Sequence, residues 1–253
     1  MTFVVVIPAR YASTRLPGKP LMEIDGKPMI QWVVDAASQS KAAAVWVATD
    51  DERIAKAVRN PRGAQSIVVM TRAEHLSGTD RIAEVATKLK LADDTIIVNV
   101  QGDEPKLPPV LIDQVASLLA NDASAAMATL STPITHRDEF LDPNVVKVIT
   151  TVGGIALYFS RAPIPWNRDG AARGLESQTH FSAAQRHLGI YAYRVAALLQ
   201  MTAWPPGELE QIEKLEQLRA MQAGLRIRVA QAIATPGIGV DTPADLERIK
   251  TTS

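Results

Sequence analysis

Residues 3–20 read Phe3-Val4-Val5-Val6-Ile7-Pro8-Ala9-Arg10-Tyr11-Ala12-Ser13-Thr14-Arg15-Leu16-Pro17-Gly18-Lys19-Pro20. The first six residues form a short, apolar, β-branched run, the pattern of a buried strand. The remainder is a loop in which three cations, Arg10, Arg15 and Lys19, are interleaved with small residues. In an open parallel sheet, ligands bind beyond the carboxyl ends of the strands, so this loop is the first place to look for chemistry.

Working outward, strand-like and helix-like segments alternate. Residues 29–40 read as a helix with Pro28 near its start, 45–49 as a strand, and 51–58 as a helix with Asp50 or Asp51 as its cap. Strands at 67–70, 95–101 and 125–130 alternate with helices at 79–89 and 109–119. This order predicts right-handed crossovers, and hence an α/β fold with a mostly parallel, Rossmann-like sheet and helices on both faces. After about residue 132 the pattern changes. Residues 145–151 and 155–160 read as paired strands around Gly153-Gly154, 161–181 as mostly loop and 188–193 as a strand. A helix is expected at 208–221, a strand at 227–230 and a closing helix at 243–250, with Asp241 or Thr242 near its cap. The chain is read as one domain, 1–253, with a smaller antiparallel sub-lobe at about 135–195.

The composition narrows the function. Twenty-seven basic residues balance twenty-seven acidic ones, so no general positive field exists to hold a nucleic acid. Cysteine is absent, which excludes disulfides, thiolate nucleophiles and cysteine-based zinc sites. The N-terminal apolar run lacks a preceding basic segment and is too short for a signal sequence. Asn121 and Asp122 interrupt the apolar stretch at 115–130, so no membrane span is expected. The expected compartment is the cytoplasm.

Several loops carry candidate chemistry. Arg10 and Arg15 can grip phosphate oxygens with forked contacts, and Lys19 can act as a point charge. The spacing is not that of a P-loop, and a solvated surface loop is the competing reading. The run from Val98 to Pro105 brings a buried strand into Gln101-Gly102-Asp103-Glu104. Asp103 there can serve a magnesium ion, which takes one or two carboxylates and completes its shell with phosphate and water. A turn acid capping the next helix is the alternative. Asp241, in Gly239-Val240-Asp241-Thr242-Pro243, has the same two readings. His187 stands at the start of a strand, and none of the four histidines pairs at i, i+4. Glu210 and Glu213 share a helix face; Glu210 could simply pair with Lys214.

Taken in order, these segments resemble the 3-deoxy-manno-octulosonate (Kdo) cytidylyltransferases, the CMP-Kdo synthetases of lipopolysaccharide synthesis. The matching pieces include 7–20, 48–50, 70–72 with 77–79, 98–105, 156–161, 164–166, 186–191, 209–213 and 239–243. The resemblance implies a nucleotide-diphospho-sugar transferase fold and attack of the sugar's anomeric hydroxyl on the α-phosphate of CTP, with pyrophosphate leaving. It implies that Arg10, Arg15 and Lys19 hold the triphosphate, with Ala9, Ser13 and Thr14 from the same loop. It places Thr71, Arg72, Ser77 and Gly78 around cytosine and Gln101 near nucleotide or sugar. Asp103 and Asp241 would hold Mg²⁺, and Arg161, His187, Tyr191, Glu210 and Glu213 would face the acidic sugar. A homodimer through the sub-lobe is also implied. Two rivals stay open: a synthetase for another acidic sugar, and a non-catalytic nucleotide sensor.

Overall fold

The computed structural model describes residues 2–12, 16–170, 173–179, 181, 183–237, 239–240 and 242–251. Strand β1 (Phe3–Ala9) lies at the heart of the sheet, parallel to β4 (Ala44–Thr49) on one side and β6 (Ile96–Asn99) on the other. Its residues divide between two cores by the alternation of a strand. Phe3, Val5 and Ile7 pack into one apolar cluster, Val4 and Val6 into another. Helices α1 (Met29–Ser38) and α4 (Pro109–Ala120) close the first face with Ile30, Val33, Leu111 and Val115. Helices α3 (Gly78–Lys88) and α6 (Val195–Ala203) close the second with Ile82, Val85, Leu198 and Met201. Helices on both faces are therefore a consequence of the β-branched run at 3–7.

Beyond β4 lies β5 (Val68–Met70), and between them in the chain α2 (Glu52–Ala57), capped by the Asp51 side chain on the Arg53 amide. On the other flank come β7 (Met127–Pro133), β10 (Gln185–Arg194) and the edge strand β11 (Ile227–Gln231), giving the order β11-β7-β10-β6-β1-β4-β5. Strand β10 is antiparallel to both β6 and β7. A two-stranded ribbon, β2 (Glu23–Ile24) with β3 (Lys27–Pro28), stands apart. Short helix α5 (Arg137–Leu141) precedes a hairpin of β8 (Lys147–Thr150) and β9 (Ala156–Ser160), which joins β10 through two register pairs, Gln185 with Val148 and Arg186 with Lys147. Helices α7 (Glu208–Glu213), α8 (Gln217–Gln222) and α9 (Pro243–Thr251) complete the described elements.

Two expectations need correction. The strand expected in the sub-lobe at 188–193 belongs to β10, an interior strand of the main sheet. Its Leu188, Ile190 and Ala192 face one core while Tyr191 and Tyr193 face the other. The antiparallel region beside the sheet is thus essentially the β8–β9 hairpin. The single helix expected at 208–221 is two, because Lys214 adopts a left-handed backbone, φ 54°, and ends α7. Helix α6 and the β2–β3 ribbon went unread; α6 is apolar nearly all round and lacks the stripe that marks a surface helix.

The hairpin is held by an unusual anchor. Lys147 is fully buried, and its ammonium donates to the carbonyls of Asp142 at 3.0 Å, Val145 at 2.5 Å and Arg161 at 2.8 Å. A buried cation is tolerable only when its donors are satisfied, and three carbonyls match its three N–H groups. Burial still lowers its pKa from the ordinary value.

Candidate active site

The cleft opens at the carboxyl ends of β1 and β6. Pro8 and Ala9 end β1 and Arg10 follows. The chain returns at Gly18, whose N–H bonds the Tyr11 carbonyl at 2.9 Å, and a helical turn then presents Lys19. Gly18 has φ 71°, a left-handed conformation suited to glycine. After β6, Gly102 presses against β1; a Cβ there would lie 2.9 Å from the Pro8 carbonyl oxygen. Glycine at 102 therefore lets the two loops meet, and the Lys19 ammonium lies 2.7 Å from the Asp103 carboxylate.

These loops line a cavity of about 450 Å³ with Arg10, Lys19, Ser77, Gly78, Gln101 and Asp103. Arg81 and Glu216, which sequence reasoning did not single out, line it as well. Arg81 is 3% exposed. Its guanidinium meets Asp50 at 3.2 Å and donates to the Thr71 hydroxyl and the Arg72 carbonyl. Burial lowers its pKa while Asp50 opposes that shift, and an arginine stays charged regardless. The cavity thus gathers Arg10, Lys19 and Arg81 where the whole chain has no net charge.

A second cavity, about 360 Å³, adjoins the first and shares Gly78, Gln101 and Glu216 with it. His187, Tyr191, Tyr193 and Gln217 line it. The Tyr191 hydroxyl and the Gln217 side-chain nitrogen are buried without a hydrogen-bond partner among the described residues. Buried polar atoms are rarely left so, and two on one cavity wall suit a polar, hydroxyl-bearing ligand. Burial raises the Tyr191 hydroxyl well above its usual pKa, so it acts as a neutral hydroxyl. Burial holds His187 down to about 3, helped by Arg186. Its imidazole is edge-on to Phe159 and tilted against Tyr191. Nε2 lies 3.2 Å from the Thr129 hydroxyl, which itself reaches the carbonyls of Leu188 and Ile190. The hydroxyl hydrogen goes to a carbonyl, so Nε2–H donates to Thr129 and Nδ1 is left as an acceptor.

Other sequence-stated residues sit elsewhere. Thr71 is buried under Arg81, and the Arg72 side chain is exposed beside Glu84; only Ser77 and Gly78 of the expected cytosine set line the first cavity. The Ser77 hydroxyl caps α3 through the Asp80 amide. Glu210, expected to face sugar or Lys214, instead grips Arg219 with two bonds of 2.7 and 2.6 Å and caps α7 at the Gly207 amide. Glu213 accepts from the Ser160 hydroxyl at 2.6 Å and the Arg161 amide at 2.9 Å. Arg161 spends its side chain on the carbonyls of Glu213 and Pro143. These three residues line neither cavity; they brace the hairpin and α7. Ser13, Thr14, Arg15 and Asp241 lie outside the described residues.

The competing cap readings can be settled for Asp103. Helix α4 has Pro108 at its cap and no side-chain cap bond, so Asp103 is not its cap. At α9, the Asp245 amide donates to the Thr242 hydroxyl and the Thr242 amide donates to the Asp245 carboxylate, a reciprocal cap between these two residues. The Val240 amide bonds the Asp103 carbonyl at 3.0 Å, so the residue before Asp241 is tied directly to Asp103. Among the described residues no cluster of three or more metal-ligating side chains occurs. One or two carboxylates at a phosphate-sized cavity is nonetheless the donor set magnesium uses, and Asp103, 36% exposed at its side chain, fits that role.

Comparison with known proteins agrees with this geometry. Residues 4–227 match the profile of a family described as cytidylyltransferase. The chain is 56% identical over 252 residues to a 3-deoxy-manno-octulosonate cytidylyltransferase of Aeromonas hydrophila, covering 99% of this chain and 98% of the relative. It is 57% identical over 251 residues to one from Cellvibrio japonicus, covering 99% and 97%. A solved CMP:2-keto-3-deoxy-manno-octonic acid synthetase complexed with CTP superposes with a TM-score of 0.87 at 44% identity, over 100% of this chain and 98% of that one. A 4-diphosphocytidyl-2C-methyl-D-erythritol synthase, at 13% identity and TM-score 0.62 over 99% of each chain, shares the fold.

Proposed function

Because the chain belongs to the cytidylyltransferase family and matches its Kdo-specific members over nearly its whole length, we propose that it transfers CMP from CTP to the anomeric hydroxyl of Kdo and releases pyrophosphate. The observation that carries this reading is the pair of adjoining cavities, one cationic and one lined by unpartnered neutral polar groups, with Gln101 and Glu216 at their junction. A triphosphate suits the first and a polyhydroxylated sugar the second, so the sugar hydroxyl and the α-phosphate meet at the shared wall.

Arg10 and Lys19 neutralise phosphate charge, with Arg15 from the same loop, and Arg81 adds a buried fixed cation behind them. Such a reaction needs positioning and charge neutralisation more than a covalent nucleophile. Asp103, with Asp241, would hold the Mg²⁺. That ion, when bound, makes the attacking hydroxyl more acidic and offsets charge at the phosphate. Neutral His187 and Tyr191 orient sugar hydroxyls, His187 accepting at Nδ1. Arg161, Glu210 and Glu213 act by bracing the wall that carries Glu216 and Gln217.

We further place the protein as a cytoplasmic homodimer serving lipopolysaccharide synthesis. No helix among the described residues is long and apolar enough to cross a membrane. The deciding experiment is pyrophosphate release with CTP, magnesium and a panel of sugars. Kdo is expected to react, and neutral hexoses and other sugars lacking a carboxylate to fail. CTP is expected to be preferred strongly over ATP and GTP, as the match to cytidylyltransferases implies, since a site that hydrogen-bonds one base leaves buried groups unpaired with another. Equal turnover with ATP or with neutral sugars would sink the assignment.

A further inference from the structure

The stretch between β5 and α3, residues 71–77, has no regular structure, yet His75, Leu76 and Ser77 line the nucleotide cavity. Leu76 is 88% exposed at its tip, so apolar burial does not hold this loop. Polar groups on one face of α3 do. Arg81 takes the Thr71 hydroxyl and the Arg72 carbonyl. One turn later, the Glu84 carboxylate accepts from His75 Nε2 and from the Arg72 amide at 3.0 Å. Lys88 meets the other Glu84 oxygen at 2.8 Å and donates to the Met70 carbonyl at 2.7 Å. The side chains of His75 and Glu84 are 9% and 11% exposed.

We propose that Glu84 is a positioning residue for the nucleotide: through His75 and the Arg72 amide it fixes the loop that walls the CTP cavity. This inference rests on the cytidylyltransferase reading for the ligand's identity. His75 is the link that gives the pair its effect. His75 lines both the nucleotide cavity and a separate cavity of about 550 Å³ that Glu84 and Lys88 also line, so it stands in the partition between them and the Glu84 bond ties that partition to α3. Burial alone would raise the Glu84 carboxyl, but hydrogen bonds from Lys88, the Arg72 amide and His75 overcome it and hold the group to about 2. The anchor is therefore ionised wherever the enzyme works. An ionised acceptor facing Nε2 also keeps a proton on that nitrogen, so His75 donates to Glu84. A loop held in this way has less conformational freedom to lose when the nucleotide binds.

The test uses the full chain and the variants His75→Ala, His75→Gln and Glu84→Ala, each checked by thermal melting. CTP affinity is read by calorimetry with magnesium and no sugar, and KM for each substrate by pyrophosphate release. The alanine variants are expected to bind CTP about tenfold more weakly, the scale of a lost charge-assisted bond, with KM for Kdo and kcat within about twofold. His75→Gln keeps an N–H at the Nε2 position and should recover most of the affinity. CTP binding within twofold of wild type in folded Glu84→Ala would overturn the proposal. So would a His75→Gln as weak as His75→Ala, or parallel losses for both substrates that track a lower melting temperature. If Glu84→Ala does not fold, Glu84→Gln and the His75 pair are read by the same criteria. A wild-type chain that binds CTP but releases no pyrophosphate with Kdo would defeat the functional reading alone, since calorimetry still judges the positioning claim.

Discussion

Lys19 and Asp103 sit 2.7 Å apart, with side chains 13% and 36% exposed. Part-exposed pairs of this kind contribute little to stability, so their close approach is better understood by what each offers the cleft. Replacing Asp103 with Asn keeps the shape and removes the charge. Turnover is expected to fall at least about a hundredfold, the scale of a lost transition-state electrostatic contact, with little change in melting temperature. Asp241→Asn should do the same, and the double variant should be little worse than either, since groups acting as one unit are not additive. Near-normal turnover in either folded variant would retire that residue from the magnesium site. Asp103 was legible in sequence because an apolar strand, a glycine and an acid in succession mark a strand end. Glu216 was not. It is one of the four glutamates at 208, 210, 213 and 216 in a run that looks uniformly helical, and only the backbone turn at Lys214 decides which reaches the cleft. His187 supplies a second residue-scale expectation. Its folded pKa of about 3 lies below the ordinary 6.5, so between these values the unfolded chain binds the extra proton. Its contribution to stability is complete above about pH 6.5 and is lost as pH falls toward 3. Melting temperature measured across that window should decline less steeply in His187→Gln; an unchanged slope would mean that other groups govern acid unfolding.

At the scale of elements, two glutamates six residues apart test the division between frame and site. Glu210 is buried and bonded twice to Arg219, joining α7 to α8. Glu216 stands just past the α7–α8 break and lines both cavities. Removing one member of a buried pair leaves the other uncompensated. Glu210→Ala is expected to lose about 3 kcal/mol of stability on that account. Glu216→Ala should lose much less stability, yet raise KM for the sugar or lower kcat. Chemical denaturation beside steady-state kinetics separates the two; the reverse pattern would mean that Glu210 carries the site. The break itself was beyond sequence reading, because Lys214 has an ordinary helix propensity and is held left-handed by tertiary context. Apart from the β2–β3 ribbon, the strands and helices of the first half, by contrast, were legible to within about three residues at each end, since their helices carry a cap or a proline at the start. Helix α3 illustrates this, starting at Gly78 after the Ser77 cap.

For the whole molecule, alternation of strands and helices was enough to give a parallel sheet flanked on both sides, but not the insertion of antiparallel β10 between β6 and β7. Strand direction leaves no mark in a run buried on both faces; it follows from the long excursion of residues 134–184, which brings the chain back to the end of the sheet it left, Gln185 pairing with Pro133. That excursion carries the β8–β9 hairpin, whose Val152 and Leu157 are exposed, the latter at 56%. A two-stranded ribbon is marginal unless a face is covered; here Val148, Ala156 and Phe159 of one face are buried in the second core and Glu213 braces Ser160 and Arg161, while Val152 and Leu157 are left exposed. A second copy related by a two-fold axis would cover the exposed apolar residues of both hairpins at once, which is the common closed form for such a surface. Light scattering at micromolar concentration should therefore return about twice the 27.3 kDa chain mass. Joint replacement of Val152 and Leu157 by Asp should shift it toward the single-chain value and remove the concentration dependence of melting that a dimer imposes. Because neither residue lines the two substrate cavities, the monomeric variant should still bind CTP. A wild-type mass of one chain at that concentration would end the dimer proposal and leave the hairpin face to be explained by its own anchors.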